Sequence, residues 1–234
     1  AAARAGRGRT ARTCGRAQLI VANNVLAHAD DLGEIFDGCA RLLAPEGVLC
    51  VEVQSLVSML NGPGWTNLYH EHRHYHTIAA LRGFLAGRGW TLVDVLSVPT
   101  HGGSYRLTMV PRRGGIEADA SVVAVQRIEA DRLVGLLPTW KDRIDAAAKR
   151  FGDEVFAAAK VERVVGFGAP AKATTLLWHA GLARGPEGWA TPIHAVVDDA
   201  PTKQGRFLPG TAIPICPSPA QAPPVVAALA WNYA

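Results

Sequence analysis

The chain is poor in cysteine. Its four thiols, Cys14, Cys39, Cys50 and Cys216, are scattered, and none belongs to a Cys-x-x-Cys pair. That excludes a disulfide framework and leaves no thiolates spaced for a structural zinc. Cys39 and Cys50 fall inside apolar patterns and read as reduced structural thiols of a cytoplasmic protein. No apolar run approaches the ~20 residues that a membrane-crossing helix needs. No secretory segment follows the first residue, which is Ala rather than Met, and there is no internal repeat. Charged residues make up only 19% of the chain, with a net charge of +4. Five arginines (Arg4, Arg7, Arg9, Arg12 and Arg16) crowd residues 1–16, with Ala and Gly between them. Without an aromatic or amphipathic partner that run describes a disordered basic tail, not a grip on nucleic acid. What is present, 234 residues of which 49% are hydrophobic, suffices for one large domain or two modest ones.

The apolar patterns alternate between strand and helix. Leu19–Ala22 is a short strand ending at Asn23-Asn24. A helical stripe over residues 32–43 starts at Asp30 or Asp31 and stops at Pro45-Glu46-Gly47, and Val48–Val53 is a second strand. Ile78–Arg88 reads as a helix closed by Gly89. Thr91–Val98 and Ser104–Val110 then read as a hairpin about the turn His101-Gly102-Gly103. Such an order predicts an α/β fold, a parallel sheet with an antiparallel edge. Residues 116–160 form a two-helix connector interrupted at Pro138. A second strand–helix pattern begins at Val161, passes through Gly166-Phe167-Gly168, and ends in an apolar strand over Val225–Trp231.

The densest chemistry lies in Tyr69-His70-Glu71-His72-Arg73-His74-Tyr75-His76, where four of the eight histidines meet a carboxylate and two phenols. The preceding run Asn61-Gly62-Pro63-Gly64-Trp65 is expected to keep this segment on a loop and out of a core. Imidazoles beside a carboxylate and a phenol suit proton transfer near neutral pH. Two other readings stand beside it. One is a solvated polar loop. The other is a metal site built from the alternating histidines, which the lack of strand-like apolar alternation and of nearby thiols disfavours. Ligands of open parallel sheets sit at the carboxyl ends of the strands, so His28, after the first strand, is expected at the same rim as Tyr69, Glu71 and His72. A histidine merely packed at a helix start is the alternative for His28. In the second pattern Gly166-Phe167-Gly168 lacks the third glycine of a dinucleotide fingerprint, which argues against a nicotinamide cofactor and an NAD-linked oxidoreductase.

These segments together resemble a known family. Asn23-Asn24-Val25-Leu26-Ala27-His28-Ala29-Asp30-Asp31 is similar to the fourth-strand segment of class I S-adenosylmethionine methyltransferases. Tyr69-His70-Glu71-His72, His101-Gly102-Gly103-Ser104 with Arg106, Gly166–Lys172 and Lys203–Thr211 resemble, in order and spacing, the nucleotide-sugar C-methyltransferases. The resemblance runs from about residue 17 to the end. It implies an incomplete class I Rossmann-like half-sheet over 17–115, then the connector, then a second Rossmann-like α/β domain over 161–234. It also implies methylation of a carbon next to the ketone of a nucleotide-linked deoxysugar, with S-adenosylmethionine as cofactor. By the same resemblance His72 is the base, with Glu71, Tyr69 and His28 as its active-site companions. Asn23 and Asn24 lie in the donor-binding segment, while His101, Lys172, Lys203 and Arg206 are substrate contacts. For the last three, ordinary surface charge is the competing reading.

The family's cysteine-rich zinc domain and glycine-rich donor loop have no counterpart here, so zinc is expected only in that missing N-terminal domain. The chain is therefore expected to be a fragment, inactive as it stands, binding S-adenosylmethionine weakly or not at all. A non-catalytic nucleotide-sugar-binding module is a further possibility, and the exposed edge of a half-sheet is expected to lower solubility.

Overall fold

A computed structural model describes residues 15–112, 115–184, 191–218 and 225–230. The basic tail up to Cys14 and the end of the last strand at Trp231 lie outside the described residues. The chain divides into two compact units. One comprises the described residues up to Gly62 together with His70–Leu136, and the other comprises Pro63–Tyr69 together with the described residues from Leu137 onward.

The first unit is built on a sheet ordered β1-β2-β4-β3, with β1 (Ala17–Asn23), β2 (Leu43–Gln54), β3 (Trp90–Val98) and β4 (Ser104–Pro111). β1 and β2 run parallel, and the hairpin β3–β4 adds antiparallel to β2. Register places Leu49, Val51 and Val53 opposite Met109, Leu107 and Tyr105 on one face. All six are buried, because side chains two apart on a strand share a face. Helices α1 (Leu32–Leu42), α3 (Ile78–Gly87) and α4 (Ala120–Leu136) bring Phe36, Ile78, Leu81, Leu85 and Val122 to the same core. Phe36 meets Trp90 edge-on at 5.8 Å, and burying such a side chain is worth about 1.5–3 kcal/mol. Asp31 starts α1 by accepting the amides of Gly33 and Glu34 at 2.7 and 3.3 Å, the usual service of an N-cap carboxylate.

Cys39 and Cys50 are free and half-buried, and burial pushes the Cys39 thiol up from its ordinary value. Both behave as small apolar side chains.

The second unit has an all-parallel sheet ordered β7-β6-β5-β8, formed by β5 (Val164–Phe167), β6 (Ile193–Val197), β7 (Ile215–Cys216) and β8 (Val225–Ala228). Helices α5 (Trp140–Ala159) and α6 (Ala171–His179) pack with it around Ala173, Leu177, Leu182, Ile193, Val196 and Leu229.

Three features depart from the sequence reading. The run Asn61–Trp65 is not an exposed loop. Leu56–Asn61 is a helix, α2, capped by the Ser55 hydroxyl on the Ser58 amide, and Pro63–Asn67 is a 3-10 turn. Trp65 is buried in the core of the second unit, so the apolar area of one indole outweighs the turn propensity of its Gly and Pro neighbours. The two helices expected as a connector go to different units, α4 to the first and α5 to the second. Finally, the Pro/Gly-rich stretch after residue 200 contains the strand β7, too short for periodicity to reveal.

Candidate active site

Tyr69–Thr77 carries no helix or strand beyond a single bridge residue at His76. Within the first unit, backbone bonds stitch His72–His76 to the segment after β1. The Ala27 carbonyl accepts the amides of Arg73 and His74 at 2.7 and 3.4 Å, and the Ala29 carbonyl accepts His74 Nε2 at 3.0 Å. At the far end Ser55 bridges His76, whose carbonyl accepts the Leu56 amide at 3.2 Å. The exposed Arg73–Asp30 ion pair at 2.6 Å adds little.

This stitching brings His28 and His72 together. Their rings meet edge-on, with centroids 4.7 Å apart and planes at 69°. His28 Nδ1 lies 3.2 Å from the Glu71 carbonyl oxygen. A carbonyl only accepts, so Nδ1 carries the proton and neutral His28 presents a lone pair at Nε2. In that tautomer the outer nitrogen accepts, and only the imidazolium would donate there. The Glu71 side chain is exposed and its backbone holds His28. Tyr69 is half-buried and belongs to the second unit, its amide bonded to the Asn67 carbonyl at 3.1 Å.

His76 is 6% exposed and its Nε2 has no protein hydrogen-bond partner. Burial, and then the neighbouring His74, pull its pKa down to about 4, so it is neutral at physiological pH. The His74 and His76 rings are stacked at 6.3 Å.

Asn23 stands exposed at the carboxyl end of β1. Asn24 has φ +54° and donates its amide to the Glu52 carbonyl at 2.8 Å. A short polar side chain tolerates that left-handed backbone better than most. Next to it on β2, Glu52 is 4% exposed. It accepts the Thr100 hydroxyl at 2.7 Å and Arg106 Nη2 at 3.1 Å. His101, itself at φ +52°, is exposed, and its carbonyl accepts Gln54 Nε2 at 3.3 Å. Glu52 escaped the sequence reading, although a carboxylate within an apolar strand was the signal for it.

In the second unit the glycine turn has a structural explanation. Gly168 has φ +82°, and a Cβ there would lie 2.5 Å from Ala230 Cβ. One on Gly166 would lie 2.8 Å from Leu229 and 2.9 Å from Val196. The anion position that such a turn offers is taken by Asp198, which accepts the Ala169 amide at 2.8 Å, the Ala200 amide at 2.9 Å and Lys203 Nζ at 2.9 Å. Burial raises the Asp198 pKa, but these donors outweigh it and hold the group below its ordinary value. Lys203 is thereby paired with a carboxylate, and Arg206 is exposed. Lys172 is 7% exposed, and burial lowers its pKa to about 8. Among the described residues no group of three or more His, Cys, Asp or Glu side chains is disposed to hold a metal, and no helix is long and apolar enough to cross a membrane.

Residues 99–234 match the model of the C-methyltransferase C-terminal domain, and residues 3–95 match that of a methyltransferase domain. C-methyltransferase NovU of Streptomyces niveus is 32% identical over 230 residues, covering 94% of this chain and 53% of the relative, so the chain spans about half of that protein's length. Among solved structures, magnesium protoporphyrin IX methyltransferase from Synechocystis PCC 6803 is 16% identical over 44% of this chain and 48% of its own, with a TM-score of 0.33. An O-methyltransferase family protein from Burkholderia thailandensis is 17% identical over 44% of this chain and 32% of its own, with a TM-score of 0.31; overlaps this partial say nothing of the site. The match over residues 99–234 takes in more than half of the sequence, and by it the chain belongs to the C-methyltransferase family.

Proposed function

We propose that this chain carries the proton-abstracting half of an S-adenosylmethionine-dependent C-methyltransferase acting on a nucleotide-linked keto-deoxysugar. The observation that carries the reading is the edge-on pairing of His28 and His72, with the His28 tautomer fixed by the Glu71 carbonyl.

His72 takes the proton from the sugar carbon next to the ketone, and the C–H electron pair moves into the enolate. His28, its Nδ1–H held by the Glu71 carbonyl, accepts at Nε2 from a sugar hydroxyl or from His72 and keeps the base oriented. A positioned base contributes about 10²–10⁴-fold in rate. Bound S-adenosylmethionine would supply an electrophilic methyl group. Asn23, exposed at the carboxyl end of β1, is the candidate to hydrogen-bond such a donor, because ligands of open parallel sheets sit at that edge. Within the second unit, exposed Arg206 is a candidate contact for the anionic part of a nucleotide-sugar.

The test separates deprotonation from methyl transfer. The chain is incubated with a nucleotide-linked 4-keto-6-deoxysugar in deuterated buffer, and NMR follows loss of the proton next to the ketone. Exchange above background that His72→Asn removes supports the reading. Exchange that survives the substitution, or none at all despite measured sugar binding, overturns it. An NAD-linked oxidoreductase predicts quenching of reduced-nicotinamide fluorescence, and Asp198 seated on the glycine turn argues against it.

A further inference from the structure

Among the described residues two that are not glycine have a left-handed backbone, Asn24 at φ +54° and His101 at φ +52°. Such a backbone persists only where its surroundings over-determine it. Both residues are tied to Glu52. Its main-chain carbonyl accepts the Asn24 amide at 2.8 Å. Its carboxylate accepts the hydroxyl of Thr100, the residue before His101, at 2.7 Å.

That carboxylate is 4% exposed, and a buried charge needs donors around it. Oε1 takes the Thr100 hydroxyl, and Oε2 takes Arg106 Nη2 at 3.1 Å. Thr100 passes the constraint on. Its carbonyl accepts the Gly103 amide and the Ser104 hydroxyl, each at 3.0 Å. Gln54, two residues beyond Glu52 and so on the same strand face, donates Nε2 to the His101 carbonyl. Gly103 closes the turn at φ +122°, and its carbonyl accepts the Ser55 amide at 3.1 Å. Register sets Ser104 opposite Gln54, so the turn stands at the carboxyl end of β2. Thr100 is itself exposed, so its hydroxyl orders the turn without belonging to a core.

We propose that Glu52 is a positioning residue: acting through the Thr100 hydroxyl, its carboxylate holds the Thr100–Gly103 turn in the left-handed form that sets the direction of His101. The consequence for a sugar rests on the function proposed above, with His101 as a substrate contact; the constraint on the turn does not.

Amide hydrogen exchange and NMR on the full chain test this. Thr100→Val removes the hydroxyl from an exposed side chain. It is expected to speed exchange of the Gly103 amide about tenfold, the weight of a hydrogen bond to a charged acceptor. It should also weaken the strong Overhauser contact between amide and Hα that marks a left-handed His101. Thr100→Ser keeps the hydroxyl and is expected to keep both wild-type signals. The Asn24 amide, held by the Glu52 main chain, is the internal control and should be unchanged. Glu52→Gln is expected to speed Gly103 exchange on its own and to add nothing to Thr100→Val. Unchanged Gly103 exchange in Thr100→Val overturns the proposal, and so does equal acceleration at Asn24 or an additive effect of Glu52→Gln. The Thr100 variants decide the matter even where Glu52→Gln fails to fold. In the deuterium-exchange assay, Thr100→Val is expected to raise the half-saturating sugar concentration about fivefold, one ordinary hydrogen bond, with the saturating rate unchanged; a fall in that rate alone overturns the link to His101. A wild-type chain that binds the sugar and exchanges no proton sinks the proposed function and leaves the result at Gly103 standing.

Discussion

The carboxylate of Glu129, only 2% exposed on α4, accepts the backbone amide of Ile78 at 2.6 Å. Ile78 opens α3 immediately after the histidine loop, so this bond pins the loop's exit from a neighbouring helix. At the loop's other side Ser55 bridges His76. A buried carboxylate at a helix N-terminus is favoured by the amides that face it, but those donors fail to offset its dehydration fully. Burial raises the Glu129 pKa, and the Ile78, Tyr105 and Ala79 hydrogen bonds bring it only part of the way back.

Removing that carboxylate is expected to loosen the loop. Glu129→Ala leaves buried donors unmet and should lower stability by about 2–3 kcal/mol, whereas Glu129→Gln keeps an acceptor and should lose roughly 1 kcal/mol. Urea unfolding monitored by fluorescence measures both; equal effects would show that the amide contact contributes nothing.

Acid should act through His76. Its folded pKa of about 4 lies below the ordinary value of 6.5, so the unfolded chain binds the extra proton first. The stability of neutral His76 is therefore complete above pH 6.5 and is lost as pH falls from there toward 4. A folded His76→Phe chain should resist acid to a lower pH than the wild type. Circular dichroism along a pH titration checks the direction.

Two sets of glycines should respond oppositely to alanine. Gly38 in α1 and Gly83 in α3 have nothing within 4 Å of an added Cβ, and Ala there should stabilise by about 0.5–1 kcal/mol through helix propensity. Gly168→Ala meets both a positive φ and Ala230, and should cost about 1–3 kcal/mol. Thermal melts of the three variants give the comparison.

The ion pair behind the glycine turn should prove unequal in its two halves. Lys203 is part-exposed and its replacement by Met should change stability by less than about 1 kcal/mol. Asp198→Ala removes the acceptor of two backbone amides and should cost about 2–4 kcal/mol. Chemical denaturation of both variants decides whether the carboxylate serves Lys203 or the backbone.

Much of this architecture was legible in the chain. Period-two runs such as Leu49-Val51-Val53 mark a half-buried strand wherever it pairs, and Asp31 ahead of an apolar stripe marks a helix start. The meeting of His28 with His72 followed from one topological rule, that both segments leave the carboxyl ends of adjacent parallel strands. What stayed hidden depends on contacts across long stretches of sequence. Glu129 looks like any charge on a helix until α4 is laid over the start of α3. Asp198 reads as a distant acid until its strand comes beside the glycine turn. Trp65 sits in a run whose local preference is for a turn, and only the core of its unit explains its burial. The tautomer of His28 depends on a carbonyl, and carbonyls have no signature in a sequence.

Asn24 carries a consequence of its own. Its left-handed backbone ends β1 and starts the turn that delivers His28, while its amide extends the ladder to Glu52. Substitution there is consequently restricted by shape before any ligand is considered: Gly or Asp can follow the same path, but a β-branched residue would resist it. Evolutionary drift at this position would thus be narrow even in a descendant that had abandoned catalysis altogether.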